Sequence, residues 1–231
     1  MCINTDKRRK IMKFFKFLYR HPEQTCITVT ENKNLPTKIV PDKREKRYLE
    51  IGPGDTRIDG FEGINIVPNP ATDYIADVAN GIPCPANVFD IVYSSHFLEH
   101  IEWFKTKFVL QEMYRILKKG GRVEIWVPDG LKICKAFVDA EIDGSMDYTN
   151  DGWWKFNEKH DPCVWANGRI FTYGNGKVIK GHFNAHLALF SERYLKELMQ
   201  EVGFTSIRRL EHKECRGADH GWINLGMMGE K

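Results

Sequence analysis

The segment 48–54 of this 231-residue chain constrains its fold more than any other stretch. An apolar run typical of a β-strand covers residues 46–51, includes Glu50, and is followed at once by Gly52 and Gly54. Because glycine has no Cβ, the backbone amides of such a turn can approach a ligand closely. In open α/β sheets ligands bind at the carboxyl ends of the strands, where Glu50 would lie. A glycine pair alone also occurs in turns that bind nothing, so the sequence that follows decides between the two interpretations.

Further strand-like segments follow this turn in a regular order. They cover residues 63–67, 74–78, 89–96 and 121–129. Between the last two lies a helical pattern over residues 102–117, which we expect to end at the cations and glycines of 118–121. Strands that alternate with helical segments predict a mainly parallel sheet covered by helices.

The C-terminal part of the chain continues the pattern. A helix is predicted over residues 131–138, and Ser191 can cap another helix that runs to Gly203. Two apolar segments, 204–210 and 222–228, then predict the last two strands.

Over residues 46–130 the motifs resemble the class I S-adenosylmethionine-dependent methyltransferases, in particular their compact type 11-like domain. The matching motifs are Glu50-x-Gly52-x-Gly54, Asp77-Val78, Phe89-Asp90-Ile91-Val92, Leu98-Glu99-His100 and Leu117-Lys118-Lys119-Gly120-Gly121. The resemblance implies a Rossmann-like, doubly wound α/β fold with a seven-stranded sheet, mostly parallel, that ends in an antiparallel hairpin. It also implies S-adenosylmethionine as the cofactor and S-adenosylhomocysteine as its product.

The interval between Gly54 and Ile64 is too short for an ordinary crossover between parallel strands, which commonly takes a dozen or more residues and a helix. We therefore expect the first crossover helix to be missing or reduced to a turn.

Two other kinds of ligand are not indicated by the sequence. The chain lacks a full Gly-x-Gly-x-x-Gly motif, which binds dinucleotides, and a Gly-x4-Gly-Lys-Ser/Thr loop, which binds phosphates.

The resemblance also implies a set of cofactor-binding positions at the ends of the first four strands. These positions are Glu50, Gly52, Gly54, Asn65, Asp77, Val78, Ser94 and Ser95. Glu50 would reach the methionine amine, Asp77 would reach the adenine amino group, and Asn65 stands where the family places an acidic residue on the ribose. Glu50 and Asp77 could instead be an ordinary solvated carboxylate or a turn cap, and Asn65 fits either interpretation.

Methyl transfer is an in-line displacement, so a hydroxyl acceptor needs alignment and a base. His96, His186 and Asp129 are the predicted residues for substrate contact or proton removal, whereas His100 is expected to hold its own loop. No metal site is predicted, because the pairs His182/His186 and His160/Asp161 lack a third ligand in the sequence.

Composition limits the remaining possibilities. The net charge of +3 does not by itself indicate a nucleic-acid partner, and no stretch reaches the ~18 apolar residues of a membrane span. Six scattered cysteines without paired spacing favour reduced thiols in the cytoplasm over disulfides or zinc.

Three regions follow from this pattern. Residues 1–45 are predicted to form a basic N-terminal helix and lead-in, and residues 46–231 the methyltransferase domain. Within that domain, an insertion at about 141–186 is rich in aromatic residues. We predict that it is a substrate lid or a flap that seals the core. The basic segment 7–20 can cover the cleft or lie weakly on an anionic membrane surface. The oligomeric state is left open.

The resulting hypothesis is a methyltransferase for a small polar acceptor, a sugar or glycan hydroxyl, of the kind that serves polysaccharide biosynthesis. Two alternatives remain at this point. One is a methyltransferase of RNA or another macromolecule, with the N-terminal basic cluster as its landing site, and the other is a non-catalytic binding subunit with the same fold.

Overall fold

The computed structural model describes residues 36–145, 157–172, 183 and 185–231. The predictions for the basic helix at 7–20, for His182 and for much of the lid at 141–186 lie outside these residues.

The centre of the fold is a single seven-stranded sheet. Its strands are β1 (Tyr48–Ile51), β2 (Phe61–Asn65), β3 (Tyr74–Ile75), β4 (Phe89–Ser95), β5 (Leu117–Pro128), β6 (Thr205–Leu210) and β7 (Asn224–Glu230). They lie in the order β3-β2-β1-β4-β5-β7-β6. The first five are parallel, and β7 runs antiparallel to both β5 and β6. The predicted fold class, including the antiparallel C-terminal hairpin, is confirmed.

The connection between β1 and β2 contains no helix, as the sequence predicts. The start of this connection is held in place by a hydrogen bond of 2.9 Å from the Gly52 N–H to the Ile64 carbonyl. Farther along, the Arg57 guanidinium makes two hydrogen bonds to the Asp73 carboxylate, of 2.6 and 3.0 Å. These contacts replace the packing that a crossover helix would supply.

Alternating side chains give the sheet two apolar faces. One face, which includes Leu49, Val92 and Ile125, packs against α1 (Thr106–Ile116) and α4 (Glu192–Val202). The other face carries Phe61, Tyr93 and Trp126, all nearly inaccessible to solvent.

The connection between β6 and β7 covers this second face. The Gly217 N–H donates to the Tyr93 hydroxyl at 3.2 Å, and the Arg216 guanidinium lies 5.6 Å from the centre of the Phe61 ring. Both faces of the sheet are therefore buried, as a parallel sheet requires.

The helix predicted over 102–117 is shorter, since α1 begins at Thr106 and ends at Ile116. The glycines expected to end it instead belong to β5, because the C-terminal residue of the chain pairs with them. The Gly120 N–H donates to the Lys231 carbonyl, and the Lys231 N–H donates to the Gly121 carbonyl, both at 2.9 Å.

Two further helices build a separate small core. The helix predicted over 131–138 is longer: α2 (Gly130–Asp143) ends at Gly144, whose φ of +73° suits a left-handed cap. Within the predicted lid lies α3 (Pro162–Phe171), capped by Asp161 and packed on α2 around the fully buried Trp165. Part of the predicted lid is thus helical, because Asp161 and Pro162 start a helix. None of the described helices combines the length and apolarity that a membrane crossing demands.

Candidate active site

Glu50 lies at the carboxyl end of β1 and is only 8% exposed. Burial raises its pKa to about 7, although the Ile58 N–H donates to the carboxylate and the positive charge of Arg57 acts in the opposite direction. The carboxylate therefore sits where a further cationic partner would stabilise its charged form. An ammonium group of a ligand has the required chemistry.

The two glycines after Glu50 have different roles. Gly52 has a φ of +70°, and a Cβ added there would lie 2.6 Å from the Cδ2 atom of Phe97. The packing of the protein itself therefore demands glycine at this position. A Cβ added at Gly54 would meet no atom within 4 Å, so the space beside Gly54 is available to a ligand.

Asn65 holds the glycine turn in place. Its Nδ2 donates to the Pro53 carbonyl at 2.9 Å, and its Oδ1 accepts from the Ile66 N–H at 2.8 Å. Asn69 donates to the same Pro53 carbonyl at 3.0 Å. The predicted contact between Asn65 and a ribose stays a prediction, and the structure adds a local role for this side chain.

Asp77 caps the short helical turn Val78–Asn80 by accepting from the Ala79 N–H at 3.0 Å and from the Asn80 Nδ2 at 2.8 Å. Val78 is buried. Both residues lie just after β3, as the sequence indicates, and their predicted contacts to adenine stay predictions.

The end of β4 brings Ser94, Ser95 and His96 to the same edge of the sheet. Ser94 is fully buried, and its Oγ has no hydrogen-bond partner in the described part of the chain. Ser95 is half-buried, and His96 leaves the strand with a φ of +49°. This left-handed conformation, uncommon outside glycine, turns the chain sharply into the segment Leu98–His100.

Both ring nitrogens of His96 are engaged. Its Nε2 lies 2.8 Å from the Oδ1 of Asn224, and its Nδ1 lies 3.3 Å from the Oε1 of Glu99. Burial acts to lower the pKa of His96, but the nearby Glu99 carboxylate outweighs burial and raises it. His96 is therefore held in place by its neighbours, and its predicted role in substrate contact or proton removal stays a prediction.

Three other side chains gather around the same carboxylate, and we call Glu99, His96, His100 and His186 the Glu99 cluster. Glu99 is 1% exposed. The rings of His100 and His186 lie 4.9 Å apart, edge to face. One potential ligand atom from each of Glu99, His100 and His186 lies within 4.8 Å of the others.

The chain after the lid is docked onto this cluster. The N–H groups of Leu187 and Ala188 both donate to the Glu99 carbonyl, and the Nδ1 of His100 donates to the Ala185 carbonyl at 3.3 Å. His100 thus holds its loop, and the same contacts bring His186 to the end of β4.

Asp129 lies at the end of β5, as predicted, but its side chain serves local structure. It is buried and caps α2 by accepting from the Lys132 N–H at 3.2 Å. The guanidinium of Arg209 lies 3.7 Å from its other oxygen. The predicted contact between Asp129 and a substrate stays a prediction, and the structure adds a local role for this side chain.

His220 and Asn224 were not identified from the sequence. The rings of His220 and His96 are 3.9 Å apart between centroids. Burial against this ring, together with the positive charge of His96, lowers the pKa of His220, so His220 is neutral at physiological pH. No local motif marks these residues, since they reach His96 from the far end of the chain.

A cavity of about 710 Å³ lies toward the amino ends of the parallel strands, away from these groups. The buried Glu124 carboxylate in its wall accepts hydrogen bonds from both Arg122 and Arg216. The site therefore lies at the carboxyl edge of the sheet, where the Glu50 turn and the Glu99 cluster are found.

Comparison with known proteins shows the family of this chain. The family model described as "Methyltransferase domain" matches residues 28–208, which is most of the chain. No curated protein sequence matches this chain.

Several solved structures are similar to this chain at low sequence identity. One is a possible histamine N-methyltransferase from Thermotoga maritima, at 18% identity and a TM-score of 0.42, with 82% of this chain and 84% of that chain covered. Another is a 1,6-didemethyltoxoflavin-N1-methyltransferase from Burkholderia thailandensis, at 16% identity and a TM-score of 0.46, with 80% and 72% covered. A third, from Haloferax volcanii, is a putative methyltransferase in complex with the Trm112 activator, at 11% identity and 0.45, with 82% and 84% covered.

The family match covers β1 to β5 and extends into β6, so it includes the strand ends that carry the Glu50 turn and the Glu99 cluster. The chain belongs to the methyltransferase-domain family and is a class I S-adenosylmethionine-dependent methyltransferase.

Proposed function

We propose that this methyltransferase acts on a hydroxyl oxygen of a small polar acceptor, a sugar or a glycan. The observation that carries the proposal is the gathering of His220 and the Glu99 cluster at the carboxyl edge of β4. A hydroxyl is a poor nucleophile until it loses its proton, and imidazole is the side chain best suited to remove a proton at neutral pH.

The residues around the β1 turn fit S-adenosylmethionine. Glu50 is a buried carboxylate able to pair with the ammonium of the methionine end, and the open space beside Gly54 allows close approach to the backbone. When bound, the cofactor supplies the methyl group: its carbon–sulfur bond breaks as the carbon–oxygen bond forms, and the neutral thioether S-adenosylhomocysteine remains.

The hydroxyl proton has to move to a base, and we assign this role to His220. Its ring is neutral and keeps access to solvent, whereas both nitrogens of the adjacent His96 are occupied. Because its lowered pKa makes His220 a weaker base than a free imidazole, the proton moves to it as the carbon–oxygen bond forms and the hydroxyl becomes acidic, not before. His96 then acts as a positioning residue, because it orients His220 through ring contact.

The acceptor class rests on the sequence of the lid and on the exposed aromatic side chains near it. Residues 141–186 are rich in aromatic residues and asparagine, which suit stacking on a sugar ring and hydrogen bonding to its hydroxyls. Phe171, at the end of α3, is 53% exposed. A role in polysaccharide biosynthesis in the cytoplasm follows from this acceptor and agrees with the free state of the described cysteines.

The decisive experiment supplies the purified chain with methyl-labelled S-adenosylmethionine and a panel of sugar nucleotides, glycans, amines and RNA. We expect label in an ether-linked methyl group of a sugar, identified by mass spectrometry. His220→Gln should lower kcat at least tenfold, since general-base catalysis contributes about 10²–10⁴-fold, with unchanged affinity for S-adenosylhomocysteine. His212→Gln, at an exposed histidine paired with Asp219, is the matched control.

Other outcomes would redirect the proposal. Label in amines alone would replace the oxygen acceptor with nitrogen. Label in RNA, with a steep loss of binding as salt rises, would favour the macromolecular alternative. Tight S-adenosylhomocysteine binding without turnover of any acceptor would indicate the non-catalytic subunit.

A further inference from the structure

We propose that Glu99, His100 and His186 bind a divalent transition-metal ion, with zinc the best match. The sequence alone does not indicate this site, because its ligands are far apart in the chain. Glu99 and His100 lie in the turn after β4, whereas His186 lies shortly before α4. The two pairs considered in the sequence, His182/His186 and His160/Asp161, lacked a third ligand, and the fold brings Glu99 and His100 next to His186.

The spacing of the three side chains suits a single ion. Their ligand atoms lie within 4.8 Å of one another. In a tetrahedral zinc site with bonds of about 2.1 Å, ligand atoms are about 3.4 Å apart. Closing the remaining distance takes about an ångström of side-chain rotation, which is modest for two imidazoles and a carboxylate.

The state of Glu99 is the observation that points to a ligand. Its side chain is 2% exposed, and its Oε2 atom has no hydrogen-bond partner among the described residues. The nearest cation, the Nδ1 of His96, lies at 3.3 Å in the geometry of an ion pair and faces one oxygen. A buried carboxylate oxygen without a partner is costly, and a cation at this second oxygen would offset that cost.

The outer contacts of both histidines are those of metal ligands. The Nδ1 of His100 donates to the Ala185 carbonyl, and the ring of His186 donates to the Arg169 carbonyl. Hydrogen bonds of this kind, from one ring nitrogen to a backbone carbonyl, fix the tautomer and the ring orientation of histidines that bind metals.

The ligand set selects the class of ion and its use. Two imidazoles and one carboxylate favour zinc or a neighbouring transition metal over magnesium or calcium. Three protein ligands leave an open position, as in catalytic zinc sites. This last step rests on the proposed function: an acceptor hydroxyl bound there would have a lowered pKa, which prepares its oxygen for methylation.

The test uses the full chain, stripped of metal with a chelator and then dialysed against zinc alone or cobalt(II) alone. We expect one zinc per chain by elemental analysis and a cobalt(II) visible spectrum typical of a four- or five-coordinate site. Glu99→Gln and His186→Ala should each weaken zinc affinity at least about 100-fold, since even outer-shell substitutions cost 10–100-fold. His212→Ala, at an exposed histidine, should leave zinc affinity unchanged.

Two readouts keep the test decisive if a variant folds poorly. In the wild-type chain, zinc should shift the imidazole NMR signals of His100 and His186 and leave those of His212 unchanged. Titration of the metal-free chain with S-adenosylhomocysteine tests the cofactor site separately. Failure of the wild type to take up stoichiometric zinc, or zinc uptake without effect on His100 and His186, would overturn the metal site even if S-adenosylhomocysteine binds.

Discussion

At the scale of single residues, the raised pKa of Glu50 makes cofactor binding depend on pH. Burial holds that pKa at about 7, so a fall in pH from 7.5 to 6 protonates Glu50 in the free protein. A protonated carboxyl cannot pair with an ammonium, so we expect the affinity for S-adenosylhomocysteine to weaken about eightfold over this interval, which calorimetric titration at each pH will measure.

The matched variants for this prediction are Glu50→Gln and Asp55→Asn, the latter an exposed carboxylate in the same connection. Glu50→Gln should bind weakly and lose the pH dependence, whereas Asp55→Asn should keep both the affinity and its pH profile. An affinity that does not change with pH in the wild type would mean that Glu50 does not contact the ammonium.

Gly52 and Gly54 allow stability to be separated from binding. Gly52→Ala should lower the free energy of unfolding by about 1–2 kcal/mol for the left-handed backbone alone, with a further loss from the clash with Phe97. Gly54→Ala meets open space, so its stability should stay within about 0.5 kcal/mol of wild type while its affinity for S-adenosylhomocysteine falls. Urea unfolding and calorimetry measure the two quantities, and unchanged affinity in Gly54→Ala would place the ligand elsewhere.

At the scale of elements, the strands could be predicted because each carries its own apolar pattern between turn residues. β1 and β4 fall within one or two residues of the expected ends. The end of α1 could not be read in the same way: the glycines of 118–121 signal a helix stop locally, but pairing with Lys231 makes them part of β5. Such pairing joins distant parts of the chain and leaves no mark on the local sequence.

The buried ion pair between β1 and β2 is another long-range feature. Arg47 lies just before β1, and its guanidinium makes hydrogen bonds of 2.8 and 2.7 Å to the Glu62 carboxylate. Both side chains are under 10% exposed. Arg47→Met would leave the buried Glu62 carboxylate with the half-exposed Arg44 guanidinium at 3.1 Å and the Tyr74 hydroxyl at 2.6 Å. We therefore expect a loss of about 1.5–3 kcal/mol in the free energy of unfolding, the range for a hydrogen bond to a charged group, measured by urea denaturation.

Two further variants check the physical reason. The double variant Arg47→Met/Glu62→Gln also removes the buried negative charge and should recover part of the loss. Arg193→Ala breaks an exposed pair with Glu197 and should cost no more than about 0.5 kcal/mol. Equal losses for the buried and the exposed pair would contradict the argument from burial.

At the scale of the whole molecule, the sequence could predict the edge of the sheet that carries the site, but only part of its chemistry. Glu50, Gly54 and His96 lie where their motifs placed them, because each follows directly from a strand. The partners that decide what His96 does could not be predicted, since Asn224 and His220 come from the segment before β7. Asp129 and Asp77 also lie at the predicted strand ends, but each caps a helical segment. Their motifs did not indicate this role, because a carboxylate at a strand end suits a ligand and a helix cap equally well.

The distribution of the site over the connections after β1, β2, β3 and β4 leads to a last prediction. A ligand bound by all of these connections should stabilise the sheet as a unit. At 100 times its Kd, S-adenosylhomocysteine should add about 2.7 kcal/mol and raise the Tm by roughly 5–10 °C in differential scanning calorimetry.

Two variants test whether binding at the carboxyl edge of the sheet causes this rise in Tm. Gly54→Ala should show the wild-type Tm without ligand and a smaller rise with it, because only binding is impaired. Arg47→Met should start from a lower Tm and show an undiminished rise, because its ion pair lies at the other end of β1. Binding by calorimetry without any rise in Tm would mean that the ligand sits on a part of the chain that unfolds independently of the sheet, which would overturn the assignment of the cofactor to the carboxyl edge.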